Sequence, residues 1–221
     1  MKRILVVSPH ADDELLGAGG TILRCCHQGD KVFWLNVTNA KEEYGYSKEE
    51  ELQRKNEIET VAGRYGVEEL INLELEPAGL DKYRTSVLVQ EFATSMKQIQ
   101  PQVVILPFQY DIHSDHRIVF ESMYSCTKSF RYPSIERILC MEILSETDYA
   151  VQDNGFVPNY YIDISEYMEE KIDIMHEYKS EMKPSPFPRN EEAIRGLAKY
   201  RAASCNVEYA EAFRLLKAMV K

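Results

Sequence analysis

The chain has 221 residues, of which 44% are hydrophobic and 28% are charged, a balance typical of one globular domain. Its formal net charge of −10 argues against nucleic acid as a partner, because binding to phosphates needs a basic surface. No targeting segment follows Met1, and no run approaches the ~20 apolar residues of a membrane helix. We therefore expect a cytoplasmic protein without membrane insertion, whose five cysteines are reduced.

Strand and helix patterns alternate along the first two thirds of the chain. Short apolar runs predict strands, and segments with a helical period and a stop signal predict helices. In chain order we predict strand 4–8, helix 13–28, strand 31–38, helix 49–65, strand 70–73, helix 85–100, strand 103–106 and helix 116–130. Continuous apolar strands are typical of a parallel sheet covered on both faces. The predicted fold class is α/β, a Rossmann-like three-layer α/β/α sandwich with a mostly parallel sheet.

The pattern is less regular beyond residue 132. We predict strands at 138–144 and 160–162, helices at 165–178 and 190–203, and a last short helix at 208–217. A segment with three prolines, 183–189, is expected to be a loop rather than a linker between domains. We therefore predict one domain over 1–221, made of a Rossmann-like core at 1–130 and a C-terminal portion at 131–221.

Two predicted loops hold most of the residues that could carry chemistry. In open α/β sheets, ligands bind beyond the carboxyl ends of the strands. Residues 8–14 (SPHADDE) follow the first predicted strand, and residues 111–116 (DIHSDH) follow the fourth. We expect these two loops to face each other at one end of the sheet.

The imidazole and carboxylate groups of these loops suit a catalytic zinc, which takes three protein ligands and keeps a fourth position for water. His10 and Asp13 lie three residues apart at a strand-to-helix turn, and His116 can supply a third ligand from the other loop. Asp12 is then a candidate general base beside the metal. The spacing alone leaves open which of Asp12 and Asp13 is the ligand.

Two further polar residues of the second loop are candidates for supporting roles. His113 could polarise a substrate carbonyl and stabilise the oxyanion, and Asp115 could accept a hydrogen bond from a histidine ring and fix its tautomer. The alternative for the first loop is that residues 12–14 are only a favourable helix start, because acids there are stabilised by capping and by the helix dipole. The joint occurrence of both motifs after predicted parallel strands favours the metal site.

These motifs resemble those of the PIG-L/LmbE family of zinc-dependent N-acetylglucosaminyl deacetylases. Residues 9–14 match the family's Pro-His-x-Asp-Asp-Glu in full, and residues 113–116 match its His-x-Asp-His. Further similarities lie at 17–21, 54–57, 158–159, 163–165 and 209–213. Two departures from the family pattern, Ser180-Glu181 and Arg201-Ala202, are expected to lie away from the metal and to bear on substrate detail.

The resemblance implies zinc as the cofactor, with Fe²⁺ or another divalent ion as an alternative. The three ligands it implies are His10, Asp13 and His116; the general base is Asp12; and the electrophilic or acid residue is His113, with Asp115 as its partner. The implied reaction removes the N-acetyl group from an N-acetylglucosamine-type sugar or conjugate and releases acetate. A metal-dependent amidase or other hydrolase acting on a sugar or thiol conjugate remains the alternative.

The resemblance also suggests substrate-binding residues and partners. Arg54 lies where relatives carry a substrate-contacting arginine, although an ion pair with Glu50 or Glu57 on its own helix is the alternative. Tyr209 and Glu211 are candidates for lining the substrate pocket, with a packing role near the C-terminus as the alternative. The expected partner is a small amino-sugar substrate, and a homo-oligomer is compatible with the family.

The glycines at 17, 19 and 20 do not predict a nucleotide site, because their spacing is not Gly-x-Gly-x-x-Gly. They also follow an acidic helix start, which would repel phosphate. We expect them to let the first helix pack closely on the sheet.

Overall fold

Seven strands and six α-helices lie within residues 1–220, which a computed structural model describes. In chain order they are β1 (Arg3–Ser8), α1 (Asp13–His27), β2 (Lys31–Thr38), α2 (Lys48–Tyr65), β3 (Glu69–Leu75), α3 (Thr85–Ile99), β4 (Val103–Leu106), α4 (Ser114–Tyr124), β5 (Arg137–Met141), β6 (Tyr160–Asp163), α5 (Met168–Met175), α6 (Glu191–Ala202) and β7 (Ala210–Ala218). Short 3₁₀ turns, among them Leu80–Lys82 and Thr147–Tyr149, lie in the connections.

The strands form one sheet in the order β3-β2-β1-β4-β5-β7-β6. β1 pairs in parallel with β2 on one side and with β4 on the other. Among the strands of the described residues, only β7 runs opposite to the other six, since it is antiparallel to both β5 and β6. The predicted mostly parallel α/β sheet is confirmed.

Both faces of the sheet are covered because the central strands carry apolar side chains on both sides. In β1, Ile4 and Val6 belong to one buried cluster, whereas Leu5 and Val7 belong to another on the opposite face. Side chains from α1, α2, α5 and α6 complete the first cluster, and side chains from α3 and α4 complete the second. Successive strand residues point to opposite faces, so a continuous apolar run is buried on both sides.

The predicted helix at 208–217 is wrong, because this segment forms β7. Its composition, rich in Ala, Leu and Glu, favours a helix in isolation. In the fold it lies between β5 and β6, where Phe213 is fully buried and the backbone completes two ladders of hydrogen bonds. Tertiary pairing thus outweighs the local preference.

Two glycines let α1 lie close to its neighbours, as expected from the sequence. A Cβ atom at Gly17 would lie 2.8 Å from Met141 of β5, and one at Gly20 would lie 2.7 Å from Ile164. Real Cβ atoms do not come so close to other heavy atoms, so a larger residue would push α1 outwards. This close packing fixes the first turn of α1 beside the end of β1.

Candidate metal centre and cavity

The loops that follow β1 and β4 meet at the carboxyl ends of these two neighbouring strands. The chain leaves β1 for α1 on one face of the sheet and leaves β4 for α4 on the other, so a crevice opens between the two loops. His10 precedes α1, and His116 lies in the first turn of α4. Their nitrogens, Nδ1 of His10 and Nε2 of His116, are 3.3 Å apart, which confirms that the two loops face each other.

Asp13 completes a triangle of donor atoms with these two histidines. Its Oδ2 lies 3.3 Å from Nδ1 of His10 and 3.2 Å from Nε2 of His116. Ligands of a tetrahedral zinc with bonds of about 2.0–2.1 Å are separated by roughly 3.3–3.4 Å, so the three atoms have the spacing that such an ion requires. The second oxygen of Asp13, Oδ1, is buried and has no hydrogen-bond partner among the described residues. The donor set therefore fits a divalent cation.

A carboxylate holds the outer nitrogen of each histidine. Nε2 of His10 lies 3.1 Å from Oδ2 of Asp115, and Nδ1 of His116 lies 2.9 Å from Oδ2 of Asp111. When the outer nitrogen donates a proton to a carboxylate, the inner nitrogen keeps its lone pair for a metal. The carboxylate of Asp115 thus contacts a histidine ring as expected, but the ring is that of His10, whereas His113 is bound by the backbone N–H of Asp115.

The two carboxylates are themselves fixed by hydrogen bonds. Asp115 accepts hydrogen bonds from the backbone N–H groups of Ala78, at 2.7 Å, and Leu80, at 3.2 Å. Asp111 accepts one from the hydroxyl of Thr147 at 2.7 Å. Sequence reasoning assigned no role to Asp111, although an acid five residues before a candidate ligand, just after a buried strand, was a usable signal.

In the metal-free protein, the neighbouring carboxylates favour protonated histidines. Burial by itself lowers the pKa of His10, but its hydrogen bonds to Asp115 and Asp13 raise that pKa to about 9. Burial likewise opposes the charge of His116, whose pKa is raised to about 10 chiefly by Asp13 and Asp111. A cation that enters the triangle must therefore displace protons from these rings.

His113 has the opposite electrostatic environment. Burial and the nearby rings of His10 and His116 lower its pKa to about 4, so the imidazole is neutral. Its Nδ1 accepts a hydrogen bond from the backbone N–H of Asp115 at 3.1 Å, which leaves the ring proton on Nε2. His113 lines the cavity described below, so this N–H is a candidate donor to a substrate oxygen.

Asp12 occupies the strained turn between β1 and α1. Its φ of 117° is a conformation that non-glycine residues seldom adopt and that costs about 1–3 kcal/mol. The carboxylate of Glu14 accepts the backbone N–H of Asp12 at 3.1 Å and the hydroxyl of Tyr178 at 2.7 Å. Burial raises the pKa of Asp12 to about 7, and the charge of Arg189, whose Nη1 lies 2.7 Å from Oδ2 of Asp12, opposes that shift.

A cavity of about 290 Å³ opens beside these residues, a size suited to a small molecule. Its lining includes the candidate ligand His10, the flanking Asp12 and His113, the charged side chains of Arg54, Glu146, Glu181 and Arg189, and the less polar Tyr46, Pro77 and Ala78.

Comparison with known families matches residues 5–127 to the family described as GlcNAc-PI de-N-acetylase, PIG-L. The chain belongs to the PIG-L family. The matched residues contain the whole triangle of donor atoms and both loops that form it.

Relatives with known activity or structure support this assignment over nearly the whole chain. A diacetylchitobiose deacetylase of Thermococcus kodakarensis is 26% identical over 230 residues, covering 98% of this chain and 84% of the relative. The solved N,N′-diacetylchitobiose deacetylase of Pyrococcus horikoshii is 25% identical with a TM-score of 0.75, covering 98% and 84%. A conserved protein of Thermus thermophilus shares the fold with a TM-score of 0.78 at 23% identity, covering 100% and 97%. None of the helices within residues 1–220 is long and apolar enough to cross a membrane.

Arg54 lies in the cavity wall of this PIG-L protein. It donates hydrogen bonds to Glu181, to Oγ of Ser180 at 2.9 Å and to the carbonyl oxygen of Ala11 at 3.3 Å. Its Nε also lies 3.7 Å from Oε2 of Glu57. Arg54 therefore lies in the cavity, as expected for a residue that contacts substrate, and also forms the alternative ion pair with Glu57 on its own helix.

Arg189 and Glu146 are cavity residues that sequence reasoning missed. Arg189 ends the proline-rich segment 183–189 and reaches Asp12, which is 177 residues earlier in the chain. Its Nη2 also lies 3.3 Å from Oε1 of Glu146. A contact over such a distance has no local sequence signal, and the three prolines of the segment indicate only a loop.

The structure does not bring Tyr209 and Glu211 to this cavity. The carboxylate of Glu211 accepts the backbone N–H groups of Gly20 and Thr21, both at 2.8 Å, and pairs with Nζ of Lys171 at 2.7 Å. Tyr209 is 8% exposed and belongs to the core cluster that contains α1 and α6. These contacts favour the packing alternative for both residues.

Proposed function

We propose that this PIG-L protein is a zinc-dependent deacetylase that hydrolyses the acetamide of an N-acetylglucosamine-type sugar or conjugate. The observation that carries the proposal is the triangle of donor atoms from His10, Asp13 and His116, with all three separations between 3.2 and 3.3 Å. Asp12 and His113 line the cavity next to it. The diacetylchitobiose deacetylases among the relatives support the choice of substrate class.

The residues around the triangle divide the work of amide hydrolysis between them. A divalent cation held there supplies Lewis acidity, which makes water a better nucleophile near neutral pH. Asp12 accepts the proton that the water loses as its oxygen attacks the acetyl carbonyl carbon. The Nε2–H of His113 donates a hydrogen bond to the carbonyl oxygen as negative charge develops on it.

The same carboxyl group can complete the reaction. After taking up the proton, Asp12 delivers it to the sugar nitrogen while the C–N bond breaks, so that acetic acid and a free amine are formed, and the acid then loses its proton to become acetate. Arg189 holds the Asp12 carboxylate through a hydrogen bond of 2.7 Å. Arg189 is therefore a positioning residue in this scheme.

The test is acetate release from N,N′-diacetylchitobiose by the zinc-loaded protein, compared with the same protein after chelation and after zinc is restored. We expect activity to disappear on chelation and to return with the metal. The variant His116→Ala should bind zinc far more weakly, because it lacks one of three ligands. Acetate release that survives removal of all divalent metal would contradict the proposal, as would hydrolysis confined to thiol-conjugate amides.

A further inference from the structure

Two arginines of the cavity wall are already bound to carboxylates of the protein itself. Arg54 donates a hydrogen bond to Oε1 of Glu181. Arg189 donates to Oε2 of Glu181 at 3.0 Å and to Asp12 at 2.7 Å, and its Nη2 lies 3.3 Å from Glu146. The guanidinium groups that would be the natural binders of a phosphate or carboxylate thus have internal partners.

Glu181 is the link between the two arginines, since each of its oxygens bonds to one of them. The side chains of Arg54, Arg189 and Glu181 are 17%, 19% and 23% exposed, so solvent screens this network only partly. All three residues line the cavity. A ligand in the cavity therefore meets the bridged pair rather than two free cations.

The charges of the cavity wall around Arg54 and Arg189 disfavour the binding of an anion. Two arginines face three carboxyl groups, those of Asp12, Glu146 and Glu181. A negatively charged substituent would have to displace Glu181 from both guanidinium groups and would leave that carboxylate without its partners, which is costly in a partly buried position.

We propose that Glu181 determines specificity by making the cavity select sugars without a negative charge next to Arg54 and Arg189. This inference rests on the proposed deacetylase function and adds to it a class of substrate, an uncharged amino sugar. Replacing Glu181 by an uncharged residue should free both guanidinium groups and turn the same wall into an anion site.

The variant Glu181→Gln tests the inference, and Glu177→Gln is its matched control. Glu177 also pairs with an arginine, Arg64, at 3.1 Å, but it lies outside the cavity on the protein surface. Both variants lose one negative charge and keep a side chain of the same shape. Any difference in anion binding between the two variants is therefore due to the position of the removed carboxylate and not to the net charge of the protein.

Binding of inorganic sulfate to the metal-free protein is the first measurement, by calorimetry. Sulfate that binds elsewhere on the protein is a background shared by the wild type and both variants. We expect Glu181→Gln to bind sulfate at least about tenfold more tightly than the wild type and Glu177→Gln. Equal sulfate affinity in all three proteins would overturn the inference.

The second measurement compares kcat/KM for neutral N,N′-diacetylchitobiose with kcat/KM for N-acetylglucosamine 6-phosphate. We expect the wild type to favour the neutral sugar and Glu181→Gln to lower that preference at least about tenfold. A wild type that deacetylates the phosphorylated sugar equally well would refute the inference, and this result does not depend on whether the variant folds. If neither sugar is deacetylated, the proposed function fails, while the sulfate measurement still decides the role of Glu181.

Discussion

Asp12 combines an unusual backbone with a buried carboxyl group, and both properties bear on its role. Asp12 has a φ of 117°, and its side chain makes no hydrogen bond to the backbone N–H groups at the start of α1. The carboxylate is directed towards Arg189 instead and accepts a hydrogen bond from it. The sequence left open whether Asp12 or Asp13 is a ligand. The distances favour Asp13 as the candidate ligand, since Asp13 lies against both histidines and Asp12 against the arginine.

The variant Asp12→Asn should retain the metal and lose turnover. Asparagine tolerates positive φ and can still accept the hydrogen bond from Arg189, but it cannot take a proton from water. We expect kcat to fall by about 10²–10⁴-fold with zinc affinity nearly unchanged, measured by acetate release and by competition with a chromophoric chelator. If the variant no longer binds zinc, Asp12 is a ligand and the assignment as base is wrong.

Metal binding should depend on pH in the direction set by the two candidate ligand histidines. The pKa values of His10 and His116 are raised to about 9 and about 10 in the metal-free protein, so both rings are protonated at neutral pH. Zinc must displace those protons, and its apparent affinity should rise by about tenfold per pH unit for each proton released. Zinc titrations between pH 6 and 8 in buffers of different ionisation enthalpy would measure this. A pH-independent affinity without proton release would contradict it.

At the scale of secondary structure, the strands were predictable where burial alone defines them. β2 and β4 begin and end at the predicted residues, because short runs dominated by branched and aromatic apolar residues admit few other structures. β7 was not predictable in this way, since its neighbours in the sheet are 47 or more residues away in sequence at every registered pair. Helix α4 is also shorter than predicted and ends at Tyr124, where a 3₁₀ turn over Ser125–Thr127 follows it.

Helix α1 should be sensitive to small changes on the face that lies closest to its neighbours. Gly20→Ala places a methyl group 2.7 Å from Ile164, and we expect a loss of about 1–3 kcal/mol in the free energy of unfolding. Gly63→Ala on α2 is the control, because no atom lies within 4 Å of its new methyl group. That change should stabilise the helix by about 0.5–1 kcal/mol. Denaturant titration measures both, and equal effects would show that the packing around Gly20 is not tight.

On the scale of the whole molecule, a buried ion pair joins the end of the chain to its beginning. Glu211 of β7 and Lys171 of α5 are 5% and 2% exposed and lie 2.7 Å apart. Glu211 also accepts two backbone N–H groups of α1, and Lys171 donates to the carbonyl oxygen of Leu16 on the same helix. The pair thus connects three elements from distant parts of the sequence, which is why composition and spacing gave no sign of it.

Removing one member of this pair should destabilise the fold without changing the chemistry. Glu211→Ala leaves Lys171 as an uncompensated buried charge, and we expect a loss of about 3–5 kcal/mol in the free energy of unfolding. At a temperature where the variant stays folded, KM for N,N′-diacetylchitobiose should be close to that of the wild type. A large rise in KM with unchanged stability would instead support a role in binding substrate.

The donor atoms for the metal and the charged wall of the cavity come from different parts of the chain. Every member of the triangle precedes residue 127, inside the stretch that matches the PIG-L family, whereas Glu181 and Arg189 come from a segment well beyond it. Exchange of residues 180–189 would therefore change the charges that an entering sugar meets, and would remove the contact of Arg189 with Asp12, while leaving the three donor atoms in place. A new late loop could thus redirect the protein to another acetylated compound only if it also supplied a partner for the Asp12 carboxylate.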